Sequence, residues 1–269
     1  RSYNNAAGNL DFTFNQNSRI RRTPQSRTGK IGMDFYATKN LTIGIVYSGF
    51  RNTNRRLTLN TATTKNAANQ LLNTVLAEVP VDTKNDNNSF NFNFNYKFNK
   101  KTEVSAAFDY VTYDADQNNS LLNKVYNANG TLNSSTNLIS KLSSNLKITS
   151  IKTDFTTNIK NGKLEYGAKS SWVNTKNVAG FFDELVGVLR PNWDFSNNFK
   201  YKENIKAAYI NLSWDKGKMF SFQLGSRIEN TGITGYSFGN PTKRDSSFKR
   251  DYTNFFPTIF INYKFDTLD

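Results

Sequence analysis

The sequence contains no cysteine and no histidine. Disulfides, thiolate metal sites and cysteine nucleophiles are therefore excluded. The usual general base and the commonest metal ligand are missing too, which leaves carboxylate or lysine chemistry as an enzyme's only recourse. No catalytic, cofactor-binding or metal-ligating set is expected, and the chain reads as not an enzyme. Long apolar runs are also lacking. Nothing approaches the roughly 20 residues of a transmembrane helix, so helical spanning is excluded. The hydrophobic fraction is 37% and the mean hydropathy −0.64, low for a membrane protein of any helical kind. A β-barrel escapes that objection, because half of each strand faces a watery lumen.

What is present is alternation. From Phe90 to Phe98 the chain reads Phe-Asn-Phe-Asn-Phe-Asn-Tyr-Lys-Phe. Strand side chains alternate between faces, so Phe90, Phe92, Phe94, Tyr96 and Phe98 share one face and Asn91, Asn93, Asn95 and Lys97 the other. A strand of about ten residues, apolar outward and polar inward, is what a barrel needs to cross a bilayer. The supply of 22 Phe and 13 Tyr suits the aromatic girdles of such a wall.

Comparable arms recur in pairs around tight turns: 27–37 with 40–50, 89–98 with 102–113, 146–159 with 163–175, and 203–214 with 218–230. Asn161-Gly162 carries an Asn-Gly hairpin signal, and Gly217 supplies positive φ in another turn. Adding 8–17 and 253–265 gives about ten long spanning strands. Polar segments 51–87, 114–145, 176–202 and 231–252 separate the hairpins. Short turns alternating with long loops is the asymmetry of outer-membrane barrels, with tight periplasmic turns and long extracellular loops. The fold class is therefore all-β, an antiparallel transmembrane β-barrel, here partial.

The net charge is +14. Arg19, Arg21 and Arg22, Arg55 and Arg56, and Lys243, Arg244, Lys249 and Arg250 fall in segments expected to be loops. They read as solvated tips or as contacts to an anionic partner such as lipopolysaccharide phosphates. Aromatics and basic residues lie on opposite faces or in different segments, so no nucleic-acid partner is expected.

Two of the polar segments carry further detail. Residues 67–77 place Ala68, Leu71, Leu72, Val75 and Leu76 on one helical stripe, a short helix packed on its own loops or offered to a partner. Residues 181–195 carry Phe181, Phe182, Leu185, Val186, Val188, Leu189, Trp193 and Phe195. They read as a strand running beyond the membrane or a loop core, with a ligand or partner surface as the sharper alternative. Phe181, Phe182, Trp193 and Phe195 are the candidates there. On the strand 218–230, Arg227 and Glu229 share a face with Gln223, opposite Phe222, Leu224 and Ile228, and so face the lumen. They serve wall hydrogen bonding, a plug, or a passing ligand. Gly225 admits a close neighbour to the wall, and Pro257 fits only near a strand start or bulge.

Residues 203–210 (Glu-Asn-Ile-Lys-Ala-Ala-Tyr-Ile), 220–231 (Phe-Ser-Phe-Gln-Leu-Gly-Ser-Arg-Ile-Glu-Asn-Thr), 252–258 (Tyr-Thr-Asn-Phe-Phe-Pro-Thr) and 261–265 (Ile-Asn-Tyr-Lys-Phe) follow in order. The region 203–265 resembles the outer-membrane β-barrels of TonB-dependent receptors from Bacteroidota. Residues 162–171 (Gly-Lys-Leu-Glu-Tyr-Gly-Ala-Lys-Ser-Ser) are similar to that family's middle hairpin. The resemblance implies an intact protein with a periplasmic domain, a plug with a TonB box, and a 22-stranded barrel. Residues 1–269 would then be an interior portion of the barrel, with plug and closing strands absent. It further implies outer-membrane localisation and nutrient uptake. The partners would be outer-membrane lipid and lipopolysaccharide, the TonB complex through a plug outside this chain, and a surface lipoprotein or other outer-membrane subunits. A scaffold without transport is the alternative. A barrel enzyme is a weaker third, since Asp34 and Asp109 lack any nucleophile motif beside them.

Overall fold

Alternation builds strands, and here it builds them longer than a bilayer requires. The computed structural model describes residues 2–4, 10–185, 187–217 and 219–265. The described residues form one antiparallel sheet: β1 (Ser2–Asn4), β2 (Leu10–Tyr36), β3 (Leu41–Asn66), β4 (Leu71–Lys97), β5 (Thr102–Asn127), β6 (Leu132–Ile159), β7 (Gly162–Leu185), β8 (Val188–Pro191), β9 (Asn197–Lys216), β10 (Phe220–Phe238) and β11 (Ser246–Tyr263). Strands pair in sequence order, except that β8 folds back on the end of β7 and β9 takes the next place. The sheet is not closed: among the described residues, β11 pairs only with β10, and β2 has β1 alone on its far side.

Register carries the apolar row from strand to strand. Ile43 lies opposite Phe94, Phe94 opposite Ala106, Phe108 opposite Ile151, and Leu212 opposite Leu224. This face is the outer face. The opposite, inner face is polar, and the sheet shields it: Ala62, Val81, Ser140, Ser150, Ala207 and Thr231 are buried, and all six lie on it. Among the described residues no side chain is fully buried, as expected of a wall one sheet thick.

Apart from tight turns and residues 192–196 and 239–245, the long polar segments are not irregular. They continue the strands, which reach 26 to 28 residues in β3 to β6, far beyond the ten or so that cross lipid. Ladder hydrogen bonds satisfy the backbone whatever the side chains are, so a polar stretch flanked by partners stays a strand. The expected strands 8–17 and 27–37 are accordingly one, β2, paired to β3 from Phe12 to Tyr36. Residues 8 and 9 lie outside the described residues.

The helix expected over 67–77 is absent. Asn66 and Gln70 close a turn by two bonds of 2.9 Å, with Asn69 at φ 62°, and Leu71–Ala77 run as strand between β3 and β5. The same turn recurs at Asn127–Thr131, with Gly130 at φ 81°. Asn-Ala-Ala-Asn-Gln and Asn-Ala-Asn-Gly-Thr are thus one local device, placing Asn or Gly where a left-handed residue is required. In the hairpin at Lys160-Asn161, the positive φ belongs to Asn161 (59°) and Gly162 opens β7. Gly217 has φ 69°, as the sequence indicated. Pro257 sits inside β11 and not at its start. Lys264 donates to Met219 O at 2.9 Å, so by alternation the nitrogen of Pro257 points to the open edge, where no ladder bond is lost.

Candidate functional site

A grouping of charge spans five strands on the inner face. Asp154, Gly167, Tyr209, Arg227 and Phe256 stand side by side across β6, β7, β9, β10 and β11. Lys152, Lys169, Ala207 and Glu229 form the adjoining row. Lys152 Nζ lies 2.8 Å from Asp154 Oδ2. Arg227 donates from Nη2 and Nε to Glu229 Oε2, at 2.7 and 3.0 Å. Both ion pairs join residues two apart on one strand, which alternation puts on the same face.

Tyr209 links the two pairs. Its hydroxyl donates to Asp154 Oδ1 across β7, and its ring has Lys152 Nζ and Arg227 Cζ each 5.8 Å from the centroid. That span requires Gly167: a Cβ there would lie 2.7 Å from the Tyr209 hydroxyl and 2.5 Å from Thr153 O. Gly225 works likewise, its missing Cβ replaced by the Asn211 side chain from β9. The close neighbour expected at Gly225 is therefore a wall side chain. Lys169 stands directly opposite Lys152 with no ion pair among the described residues. The cluster thus offers an inward cation beside two fixed pairs, an arrangement suited to holding acidic or polar groups against the wall.

Asp109, also on the inner face, accepts from Asn91 Nδ2 at 2.7 Å and Ser150 Oγ at 3.1 Å. Asp34 and Asn93 both reach over Gly44. These are wall contacts. Among the described residues no group of three or more acidic side chains is placed to hold a metal ion.

The other candidates lie elsewhere. Phe181 and Phe195 meet edge to face at 6.0 Å, and Phe182 and Trp193 line one small cavity of about 270 Å³ at the far end of β7. Ser196 fastens this rim, its hydroxyl donating to Asn192 O at 2.7 Å and accepting from Phe181 N at 3.0 Å. Asn240 Nδ2 donates to Trp193 O and Ser196 O at 2.9 and 3.2 Å. Val186 lies outside the described residues. Phe182 and Gly167 are separated along β7 by roughly 50 Å of strand rise, so the six candidates form two places, a rim and a wall cluster. Nearby, the Tyr236 hydroxyl and Gly239 N–H hold the Asp245 carboxyl below its ordinary range.

Residues 96–268 match the Outer membrane protein beta-barrel family. The chain belongs to that family. It is an outer-membrane protein, and its outer face lies against lipid. No curated protein matches it. Among solved structures it is similar to the ferric citrate transporter FecA in the unliganded form (13% identity, TM-score 0.49, covering 99% of this chain and 46% of that one). It is also similar to BauA, the ferric preacinetobactin receptor from Acinetobacter baumannii (11%, 0.46, 96% and 47%). A third is the outer membrane protease OmpT from Escherichia coli (12%, 0.30, 93% and 96%). The chain spans about half the length of the first two.

Lys152, Asp154 and Tyr209 are not legible as a group in the sequence, because Asp154 and Tyr209 are more than fifty residues apart there. One signal existed: Tyr209 is an aromatic at a polar-parity position between Ala208 and Ile210.

Proposed function

We propose that this chain is part of the wall of a TonB-dependent receptor that takes up a nutrient across the outer membrane. The observation that carries this reading is the charged inner row from Asp154 to Arg227 on a sheet still open after 11 strands. Lipid tolerates no unpaired strand edge, so the working barrel must include more strands than these. Small barrels fill with side chains, whereas larger ones enclose a channel or a plugged lumen. A plug supplied by another part of the protein would press on the ion pairs of β6 and β10 and on Tyr209 of β9 between them, and TonB would act on that plug. In this reading the wall has no catalytic role.

A partner-binding scaffold is the second reading. The fastened aromatic rim around Phe181 and Phe195 favours it, since a braced apolar edge suits a surface lipoprotein as well as a solute.

The test is uptake. A strain lacking the gene is expected to lose accumulation of at least one labelled metal chelate, glycan or peptide, and a strain lacking TonB is expected to lose the same one. Unchanged uptake across such a panel would refute transport and leave the scaffold.

A further inference from the structure

The outer face is divided in charge just above the part that crosses lipid. On the outer face of β3 and β4 three neighbouring cations have carboxylates: Arg51 with Asp86 at 2.6 Å, Arg55 with Asp82 at 3.5 Å, Lys84 with Asp86 at 3.1 Å, while Lys65 at the far end of β3 bonds Asn69 Oδ1. The same register row runs from Arg51 through Asp86, Asp114, Asn145 and Lys176 to Lys200. Its second half has lost the balance. Lys176 and Lys200 stand directly opposite each other, a like-charge pairing that costs stability in a sheet. Lys147 and Lys202 flank Asn174 in the adjoining row, and Lys206 lies further down β9.

All five lysines are exposed or half-exposed, and none has an ion pair among the described residues. Glu184, at the far end of β7, is the one carboxylate that alternation puts on the outer face of β6, β7, β9 and β10. At the borders Asp114 is engaged by Asn145 and Asp251 by Asn230.

A second feature lies directly below. The lipid-facing band thins to Thr153, Ala168, Ser170 and Ala208, leaving a groove of about 710 Å³ between Ile151 and Ile228, with Lys206 at its upper rim. On β4 and β5 the same band is filled by Phe92, Phe94 and Phe108.

We propose that this wall binds one phosphorylated glycolipid of the outer leaflet, with an acyl chain in the Ala168–Ala208 groove and its phosphates among Lys147, Lys176, Lys200, Lys202 and Lys206. Lysines two strands apart stand roughly 10 Å from each other, close enough to share a phosphate and its neighbours. Without such an anion the Lys176–Lys200 repulsion is eased only by the Phe238 ring, whose centroid lies 4.9 Å from Lys200 Nζ. With it, each ammonium acts as a point-charge phosphate ligand. The apolar stretch of the groove suits a hydrocarbon chain, which a soluble phosphate lacks. The clusters that the sequence put in loop tips, Arg19 to Arg22, Arg55 with Arg56, and Lys243 to Arg250, are not the site; β2, β3 and β11 carry most of them along strands.

The test uses the full-length protein in detergent, followed by native mass spectrometry with lipid A, dephosphorylated lipid A, phosphatidylglycerol and inorganic phosphate. Wild type is expected to retain lipid A as a stoichiometric adduct. Each lysine near such a surface is worth a factor of about five, so the Lys176→Glu/Lys202→Glu variant should lose occupancy by about twenty-fold or more, and Lys176→Arg/Lys202→Arg should keep it. Ala208→Phe, which fills the groove with every lysine intact, should also lose it. Heat-modifiable migration reports folding of each variant. The proposal is overturned if folded Glu variants bind as wild type does, or if dephosphorylated lipid A or phosphatidylglycerol binds equally. Displacement of lipid A by inorganic phosphate at millimolar concentration would overturn it as well.

Discussion

Gly167→Ala tests the wall cluster directly. The new methyl carbon would lie 2.5 Å from Thr153 O, and 2.7 and 2.8 Å from the hydroxyl oxygen and Cζ of Tyr209. Tyr209 can swing away; Thr153 O cannot without bending β6. Overpacking of this kind costs about 1–3 kcal/mol. A hydrogen bond to a charged group contributes about 1.5–3 kcal/mol, and the lower end applies because Asp154 keeps Lys152 at 2.8 Å and the inner face admits water. Alanine returns about 0.4–1 kcal/mol by restricting the unfolded chain. The net destabilisation is about 2–3 kcal/mol. Tyr209→Ala removes the same bond and the ring, so the double variant is expected to cost about 1–2 kcal/mol less than the sum of the singles, because only the Thr153 contact remains. Urea unfolding of the full-length protein in lipid vesicles, followed by tryptophan fluorescence and by gel migration, measures all three. A single variant within about 0.5 kcal/mol of wild type, or a pair additive to within that margin, would refute the spanning role of Gly167.

Further outcomes are expected. Phe94→Asp places a carboxylate in the lipid-facing row between Ile43 and Ala106 and should abolish the heat-modifiable form, whereas Asn95→Ser on the inner face should leave it intact. Asn93→Asp is not neutral either: it sets a second carboxylate beside Asp34 over Gly44, and should lower the urea midpoint at pH 7 more than at pH 4. Asn161→Val forces a branched residue to φ 59° at a cost of roughly 1–2 kcal/mol, and Asn161→Gly should match or exceed wild type in the same unfolding assay. The Arg51 hydrogen bond holds Asp86 below the ordinary carboxylate value of 3.8, so its contribution is complete above that value and is lost as pH falls through the lowered one. Asp86→Asn should therefore weaken the outer end of β3–β4 at pH 7 and leave it unchanged in strong acid, read by amide exchange of the Arg51 segment.

Much of the wall is legible in single strands. Phe90 to Phe98 declares its two faces because a pleated strand alternates regardless of its neighbours, and Arg227 and Glu229 follow from the same parity. The polar stretches are harder. Leu71 to Ala77 fits a helical stripe as well as a strand, and only its position between β3 and β5, with ladder bonds on both sides, selects the strand. The same cause turns four expected loops into strand extensions.

Composition and local alternation, then, settle that this chain is an antiparallel barrel wall with one lipid face and one watery face, since those properties reside in single strands. Register belongs to the sheet. It alone brings Asp154 to Tyr209 over Gly167, opposes Lys176 to Lys200 without an acid between them, and divides Phe181, Phe182, Trp193 and Phe195 from Arg227 and Glu229. Strand parity is a property of neighbouring residues, but which residue stands beside which is decided by hydrogen bonds between segments far apart in the chain.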